Sequence, residues 1–243
     1  MRRTENVNPR EDLKSVAPFR PPEGRHRIRF RFTKQGVNRF LSHLELQRVF
    51  RLAVRRARLP IAYTQGFNPH LRLSFGRPLP TGWTGREELV EFVFHESIDP
   101  AAVVSALNEQ FPEGIRLAGG EVVALHGPSM DGMEMEIVWT ASLREGTLSE
   151  AHRRAIDSFL ESESIYVEET RKRKVRRVDI RKGVNAIIPS EDGRTLTFET
   201  NQDANLRRVL HYVFEGDEHA VRGLDCAREV LSLLPEEEPV SVL

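Results

Sequence analysis

Cysteine is almost absent: Cys226 is the single thiol in 243 residues. One thiol excludes a disulfide framework and a thiolate metal cage built from this chain alone, and it points to a reducing compartment. Long apolar runs are missing too, and nothing approaches the roughly 20 residues that span a bilayer. The opening "MRRTENVNPREDLK" lacks the apolar centre of a secretory signal, and its acids do not suit a transit peptide. A cytoplasmic protein without a membrane partner is expected. Metal-type spacings such as HxxxH, CxxC or DxD do not occur, and "GGE" at 119–121 is too slight to claim a phosphate loop. Neither a metal nor a cofactor is expected.

Net charge of one sign is also lacking: 36 basic residues balance 36 acidic ones. The balance hides blocks. Residues 25–80 hold 13 Lys or Arg and one acid, Glu45, whereas 81–170 hold 5 basic and 18 acidic residues. The stretch "RKRKVRRVDIRK", 171–182, carries 8 basic residues and Asp179, and 183–243 turns acidic again with 5 basic and 12 acidic residues. Opposite blocks can pair across the fold, or they can stay apart and leave a basic face for a polyanion.

With 39% hydrophobic residues there is enough to bury a core, and 243 residues make one large or two ordinary domains. Residues 1–24 show no periodicity and read as a disordered leader. "RHRIRFRF" alternates strictly, placing Ile28, Phe30 and Phe32 on one face of a strand and Arg27, Arg29 and Arg31 on the other. In "FLSHLELQRVFRLAVRRARL" Ser42 and Glu45 form a capping box for a helix that buries Leu46, Val49, Phe50, Ala53, Val54 and Ala57. Arg48, Arg51, Arg55 and Arg58 step along another face of that helix. Strand-like "LRLSF" and "EELVEFVFHE", the helix "DPAAVVSALNEQF" with Asp99 as cap and Pro100 behind it, and the strand "GIRLAGGEVVAL" complete the unit.

That order, βαββαβ, is the ferredoxin-like unit. A second is expected in "MEIVWTASL", helix "LSEAHRRAIDSFLES", "IYVEETR", "RRVDIRKGVNAIIP", "RTLTFETN" and helix "NLRRVLHYVFEG". The expected fold is therefore α+β, two ferredoxin-like halves with antiparallel sheets. The divisions are a leader at 1–24, the first half at 25–125, a linker at 126–134, the second half at 135–234 and an acidic tail at 235–243. With both helices on one side of each sheet, Arg27, Arg29 and Arg31 fall on the uncovered side, where acids such as Glu91 on a neighbouring strand can sit beside them.

"AYTQGFNPHLRLSFGRPLPTGW", 62–83, crowds Tyr63, Gln65, Asn68, His70 and Arg72 among glycines and prolines. A catalytic loop, a binding loop and a structural corner compete to explain it. His43 and His70 are the natural acid–base candidates, because histidine titrates near neutrality, and a metal-independent endoribonuclease could use either. Without chemistry, His43 is a first-turn helix residue and His70 a loop residue tied to the backbone.

Residues 39–83 resemble the radical-SAM-linked protein family. The likeness runs through Arg39, Phe40, Leu41, Ser42, His43, Leu44, Arg56, Ala57, Leu59 and Pro60. It continues through Gln65, Gly66, Phe67, Asn68, Pro69, His70, Ser74, Phe75, Pro78, Leu79 and Gly82. Glu45 stands where the family usually has Asp, which keeps the carboxylate, and "VDIRKGVNAI" resembles a later family segment. The resemblance implies association, by fusion or neighbouring gene, with a radical SAM protein that also carries a cobalamin-binding type of domain. This chain lacks the three-cysteine iron–sulfur motif for that chemistry.

The expected role is therefore non-catalytic: an accessory protein that binds structured RNA, tRNA or rRNA, beside a radical SAM enzyme. Arg27, Arg29, Arg31, Arg51 and Arg55 are expected to hold phosphates, with Arg39 and Arg72 in the same binding set. Tyr63, Gln65, Asn68 and His70 are expected to contact bases or shape. The endoribonuclease, and a protein–protein adaptor without nucleic acid, are the competing expectations.

Overall fold

The computed structural model describes residues 25–171 and 174–234. The expected leader and acidic tail lie outside the described residues. Alternation produces β1 (His26–Lys34), with Ile28, Phe30 and Phe32 buried. A 3₁₀ turn at Gly36–Phe40 leads to α1 (His43–Arg56). Its capping box forms as the sequence indicates, with Ser42 accepting from the Glu45 amide and Glu45 accepting from the Ser42 amide. Leu46, Phe50, Ala53 and Val54 are buried, while Val49 and Ala57 pack at the edge of the core. The arginine stripe is shorter than expected. The helix ends at Arg56, and Arg58 turns left-handed with φ 52°, so it leaves the face that Arg48 and Arg55 share.

After β2 (Leu73–Phe75), the long β3 (Thr84–Phe94) pairs antiparallel with β1. Asp99 caps α2 (Pro100–Asn108), and β4 (Ile115–Val123) returns to the other side of β1. The spatial order is β4-β1-β3-β2, with β2 pairing β3 over only three residues. This is the ferredoxin-like arrangement with a truncated edge strand.

The second half begins with β5 (Met135–Leu143) and α3 (Glu150–Glu161). A separate hairpin, β6 (Tyr166–Arg171) with β7 (Lys174–Asp179), is inserted before β8 (Val184–Pro189). Then follow β9 (Thr195–Asn201), α4 (Leu206–Val213), the short α5 (Glu218–Gly223) and β10 (Leu224–Leu233). Set the hairpin aside and the order β10-β5-β9-β8 repeats that of the first half. The chain is therefore α+β, two ferredoxin-like halves.

Two readings of the second half are corrected. The stretch 176–189 is not one strand: the Asp179 carboxylate accepts from the amides of Ile165 and Arg181, and this side-chain turn separates β7 from β8. The closing strand β10 was hidden by helix-forming residues in "LDCAREVLSL".

The halves join into one eight-stranded sheet through a parallel contact of two register pairs, Ala227 with Thr84 and Arg228 with Gly85. Each half keeps its own core, around Phe30, Phe50 and Phe92 in the first and Trp139, Phe159, Phe198 and Phe214 in the second. Leu89 of β3 belongs to the second core, and Trp83 meets Trp139 edge-on at 5.5 Å. Among the described residues, no helix is long and apolar enough to cross a membrane.

Candidate functional site

The loop after α1 is closed at its neck and open everywhere else. Ile61 bridges to Phe94 and Tyr63 to Leu71, while the Thr64 amide donates to the His70 carbonyl at 2.7 Å. The His70 amide returns a bond to the Thr64 hydroxyl at 2.9 Å. Gly66 sits at φ 123°, a conformation that side chains rarely adopt, so the turn demands glycine there. Every residue from Tyr63 to His70 is exposed, and the Phe67 ring is entirely so at 105%. Among the described residues, the side chains of Gln65, Asn68 and His70 make no hydrogen bond; the backbone and Thr64 alone hold the loop. A structural corner would use those amides on its own backbone, as turns commonly do.

The strand arginines are placed differently from the expected open face. Arg27 is 9% exposed and donates twice to Glu91, at 2.8 and 2.5 Å, and also to the carbonyls of Ala124, Gly127 and Pro128. Arg29 holds the other Glu91 oxygen and reaches Glu121 at 3.4 Å, and Arg31 pairs with Glu87 at 2.8 Å. The segment after β4 lies across this row: its carbonyls cover Arg27, Met133 touches Arg29, and Met130 is buried at 2%. Glu91 thus neutralises two guanidinium groups at once. The side of the sheet expected to stay open is covered here.

The other arginines divide by environment. Arg51 donates to Gln47 at 3.2 Å, and Arg39 lies over Phe40 and 3.6 Å from Asp225. Arg48, Arg55, Arg56 and Arg58 are exposed and Arg72 is half-buried; among the described residues none of the five forms a salt bridge. On α1 the outward face thus reads Leu44, Arg48, Leu52, Arg55, alternating exposed apolar and cationic groups.

His43 and His70 are not brought together. His43 is half-buried, with Nε2 2.9 Å from the Gln47 amide nitrogen and its ring edge-on to Phe75 at 5.5 Å. Burial and then the nearby Lys34 cation push its pKa below the ordinary value, so the ring is neutral at physiological pH. It borders a cavity of about 10 Å³ shared with Lys34, Phe75, Pro78 and Glu88, space for at most one water. Among the described residues, no group of three or more His, Cys, Asp or Glu is placed to hold a metal ion.

Beside His43 lies a buried charge cluster that the sequence reading missed. Lys34 is 1% exposed, Glu88 5% and Arg228 0%. Register pairs Lys34–Gly85, Gly85–Arg228 and Arg228–Trp139 form one row across four strands. Arg228 Nε lies 3.2 Å from Glu88 Oε1, its terminal nitrogens donate to the Arg77 carbonyl at 3.0 and 3.1 Å, and the group stacks over Trp139. Lys34 Nζ donates to the Leu41 carbonyl at 2.7 Å. Burial raises the Glu88 carboxyl, opposed by Arg228 and then Lys34, and it lowers both cations. A signal was present: Lys34 continues the inward row Ile28, Phe30, Phe32, and Glu88 precedes Val90 and Phe92 in the same alternation.

Gly85 makes room for this cluster. A Cβ there meets Glu88 Cγ at 2.5 Å, and Glu88 is buried with nowhere to retreat. Gly85→Ala is expected to cost about 1–3 kcal/mol through overpacking, read as a lower urea midpoint with an unchanged m-value.

Residues 27–222 match a family model, and the chain belongs to that family, described as "Uncharacterized protein conserved in bacteria (DUF2344)". The match runs from β1 into α5. No curated protein matches the chain. A solved structure, "Crystal structure of putative glycine cleavage system transcriptional repressor", is similar at 10% identity over 86% of this chain and 98% of that one, with a TM-score of 0.23.

Proposed function

We propose that this bacterial protein is a non-catalytic RNA-binding accessory protein, and that the loop 63–70 is its recognition element. The carrying observation is the exposed loop itself: a fully exposed Phe67 ring among Gln65, Asn68 and His70 side chains that make no hydrogen bond among the described residues, on a neck closed without them. An exposed ring offers a stacking platform for an unpaired base, and free amides suit base edges, which is how proteins read single-stranded parts of structured RNA. Arg48, Arg55 and Arg56 on α1, exposed and without a salt bridge among the described residues, supply phosphate contacts. The strand arginines, committed to Glu91, Glu121 and Glu87, serve the fold instead.

The substrate class proposed is tRNA or rRNA, presented to a radical SAM enzyme that supplies the chemistry. The sequence resemblance supports that partnership. Burial pushes the thiol of Cys226 up to about 12, far from a reactive thiolate, so this side chain is left to the core. Exposed Val37, Phe40 and Leu44, at 82%, 59% and 76%, favour a protein contact at the start of α1. Those three residues also favour the second reading, an adaptor without nucleic acid. The nuclease reading draws nothing from His43, whose ring is spent on Gln47 and Phe75.

Salt titration tests the RNA reading. Each phosphate contact contributes a log–log slope of about −0.7 for single strands, so Arg55→Gln/Arg56→Gln should flatten the slope by about 1.4. Arg27→Gln should leave the slope unchanged and lower the melting temperature, since it strips Glu91 of a buried partner. No measurable RNA binding by the unaltered protein at low salt would favour the adaptor.

A further inference from the structure

The basic block 171–182 plays no part in the loop-centred reading. Some of it is spent on the fold: Arg181 donates to the carbonyls of Val184 and Leu160, and Lys182 pairs with Asp203 at 3.0 Å. The rest lies on the inserted ribbon, where β6 and β7 form a sheet of their own. Its register sets Glu168 opposite Arg177 and Glu169 opposite Arg176, which invites two cross-strand ion pairs. Neither arginine forms a salt bridge among the described residues. Glu169 reaches across to Arg208 of α4 at 2.7 Å, and with Val167 at the edge of the core this fastens the ribbon to the second half. Arg176 is left exposed. Arg177, exposed as well, turns from Glu168 to its diagonal neighbour and lies over the Tyr166 ring, 4.6 Å from the centroid. That ring is 55% exposed, and Val175, at 61%, continues the same face.

We propose that this ribbon is a second contact for single-stranded RNA, an inference that rests on reading the protein as an RNA binder. The Arg177 guanidinium and the Tyr166 ring already form a stack of two layers. An unpaired base adds a third, since bases stack on aromatic rings and on guanidinium planes alike. Successive strand residues point to opposite faces, so Arg176 lies on the other side of the ribbon from Arg177. An RNA strand crossing the ribbon therefore meets a guanidinium on each side. Glu168, exposed beside Arg177, repels a phosphate there and favours a base on that face. An acidic peptide can pair with both arginines, but it has no use for a flat ring stacked under one of them. Stacking tolerates any base, so the ribbon supplies affinity without preference, and selection stays with the loop 63–70.

Binding of a labelled single-stranded oligouridylate to the full chain, measured across a salt series, tests this. Arg176→Gln/Arg177→Gln should flatten the log–log slope by about 1.4, two contacts at about 0.7 each, while Arg176→Lys/Arg177→Lys keeps the slope because the charges remain. Tyr166→Ala should weaken binding about fivefold or more with the slope unchanged. The three side chains are exposed, so melting temperatures should stay the same in all three variants. An unchanged slope in the Gln variant, with Phe67→Ala still weakening binding, would overturn the ribbon contact and leave the loop reading standing. Polyglutamate that displaces the oligouridylate from the unaltered protein as readily as unlabelled oligouridylate does would also overturn it, by making the ribbon a general anion patch. No binding by the unaltered protein at low salt would remove the RNA reading and this inference together.

Discussion

Arg228→Met is expected to destabilise the protein by about 3 kcal/mol, the lower end of the range for a buried ion pair that loses one partner. The side-chain volume is nearly kept, so the loss is electrostatic rather than a cavity. Glu88 remains buried with only Lys34 to oppose its desolvation, and the Arg77 carbonyl loses both of its donors. The variant also carries a pH signature with a definite sign. The folded-state pKa of Glu88 is already raised by burial, and removing Arg228, the largest opposing charge, raises it further. Between the ordinary glutamate value of about 4.3 and that raised value, the folded state binds a proton that the unfolded state does not. Stability in the variant therefore falls as pH rises through the folded pKa, and the deficit relative to the unaltered protein shrinks on acidification from pH 8 toward 5. Glu88→Gln/Arg228→Met, which removes the charge altogether, should recover much of the loss and the pH dependence with it. Urea melts across that range measure both.

Such a cluster at the seam has a structural consequence. The strands of the two halves pair directly at two register positions, and Arg228 sits at one of them, joined to β3 through Glu88 and to the Arg77 carbonyl. The stretch 62–83 thus divides into two differently placed parts. Phe75, Gly76, Arg77, Pro78 and Leu79 wrap the seam, whereas residues 63–70 project into solvent. Sequence alone could not separate the part packed at the seam from the part exposed to solvent, because both are rich in glycine, proline and polar groups.

The second large effect is expected at Phe67. Its ring is fully exposed and contributes nothing to the core, so Phe67→Ala should leave stability within about 0.5 kcal/mol of the unaltered protein. If a base stacks on it, the substitution removes about 1–3 kcal/mol of binding, or about 5- to 150-fold in affinity. The same change at a buried ring such as Phe50 would do the reverse, collapsing the fold before any binding could be read. Stability and binding are thus separable at position 67 in a way that few aromatic positions allow.

What was legible in the sequence follows from how local each signal is. The capping box of α1, the Asp99–Pro100 start of α2 and the alternation of β1 each depend on neighbours within a few residues, and all formed as expected. The ferredoxin-like order of the first half followed from them. The pairing of Arg27 and Arg29 with a single Glu91 depends on a register 62 to 64 residues distant, although Glu91 could be named as a neighbour. What could not be foreseen was the segment after β4 laying its carbonyls over Arg27. β10 was missed for a related reason: its Ala, Arg, Glu and Leu favour helix in isolation, and only a place between β3 and β5 makes it a strand.

The most direct test of the central claim is a paired measurement on the triple variant Gln65→Ala/Phe67→Ala/His70→Ala. RNA recovered with the unaltered protein from its native bacterium serves as the cognate ligand, bulk RNA as the competitor, and melting temperatures are taken on the same samples. A recognition loop predicts an unchanged melting temperature and an unchanged salt slope, with the preference for cognate over bulk RNA lost. A lowered melting temperature with the preference intact would contradict it, and would make residues 63–70 a structural corner after all.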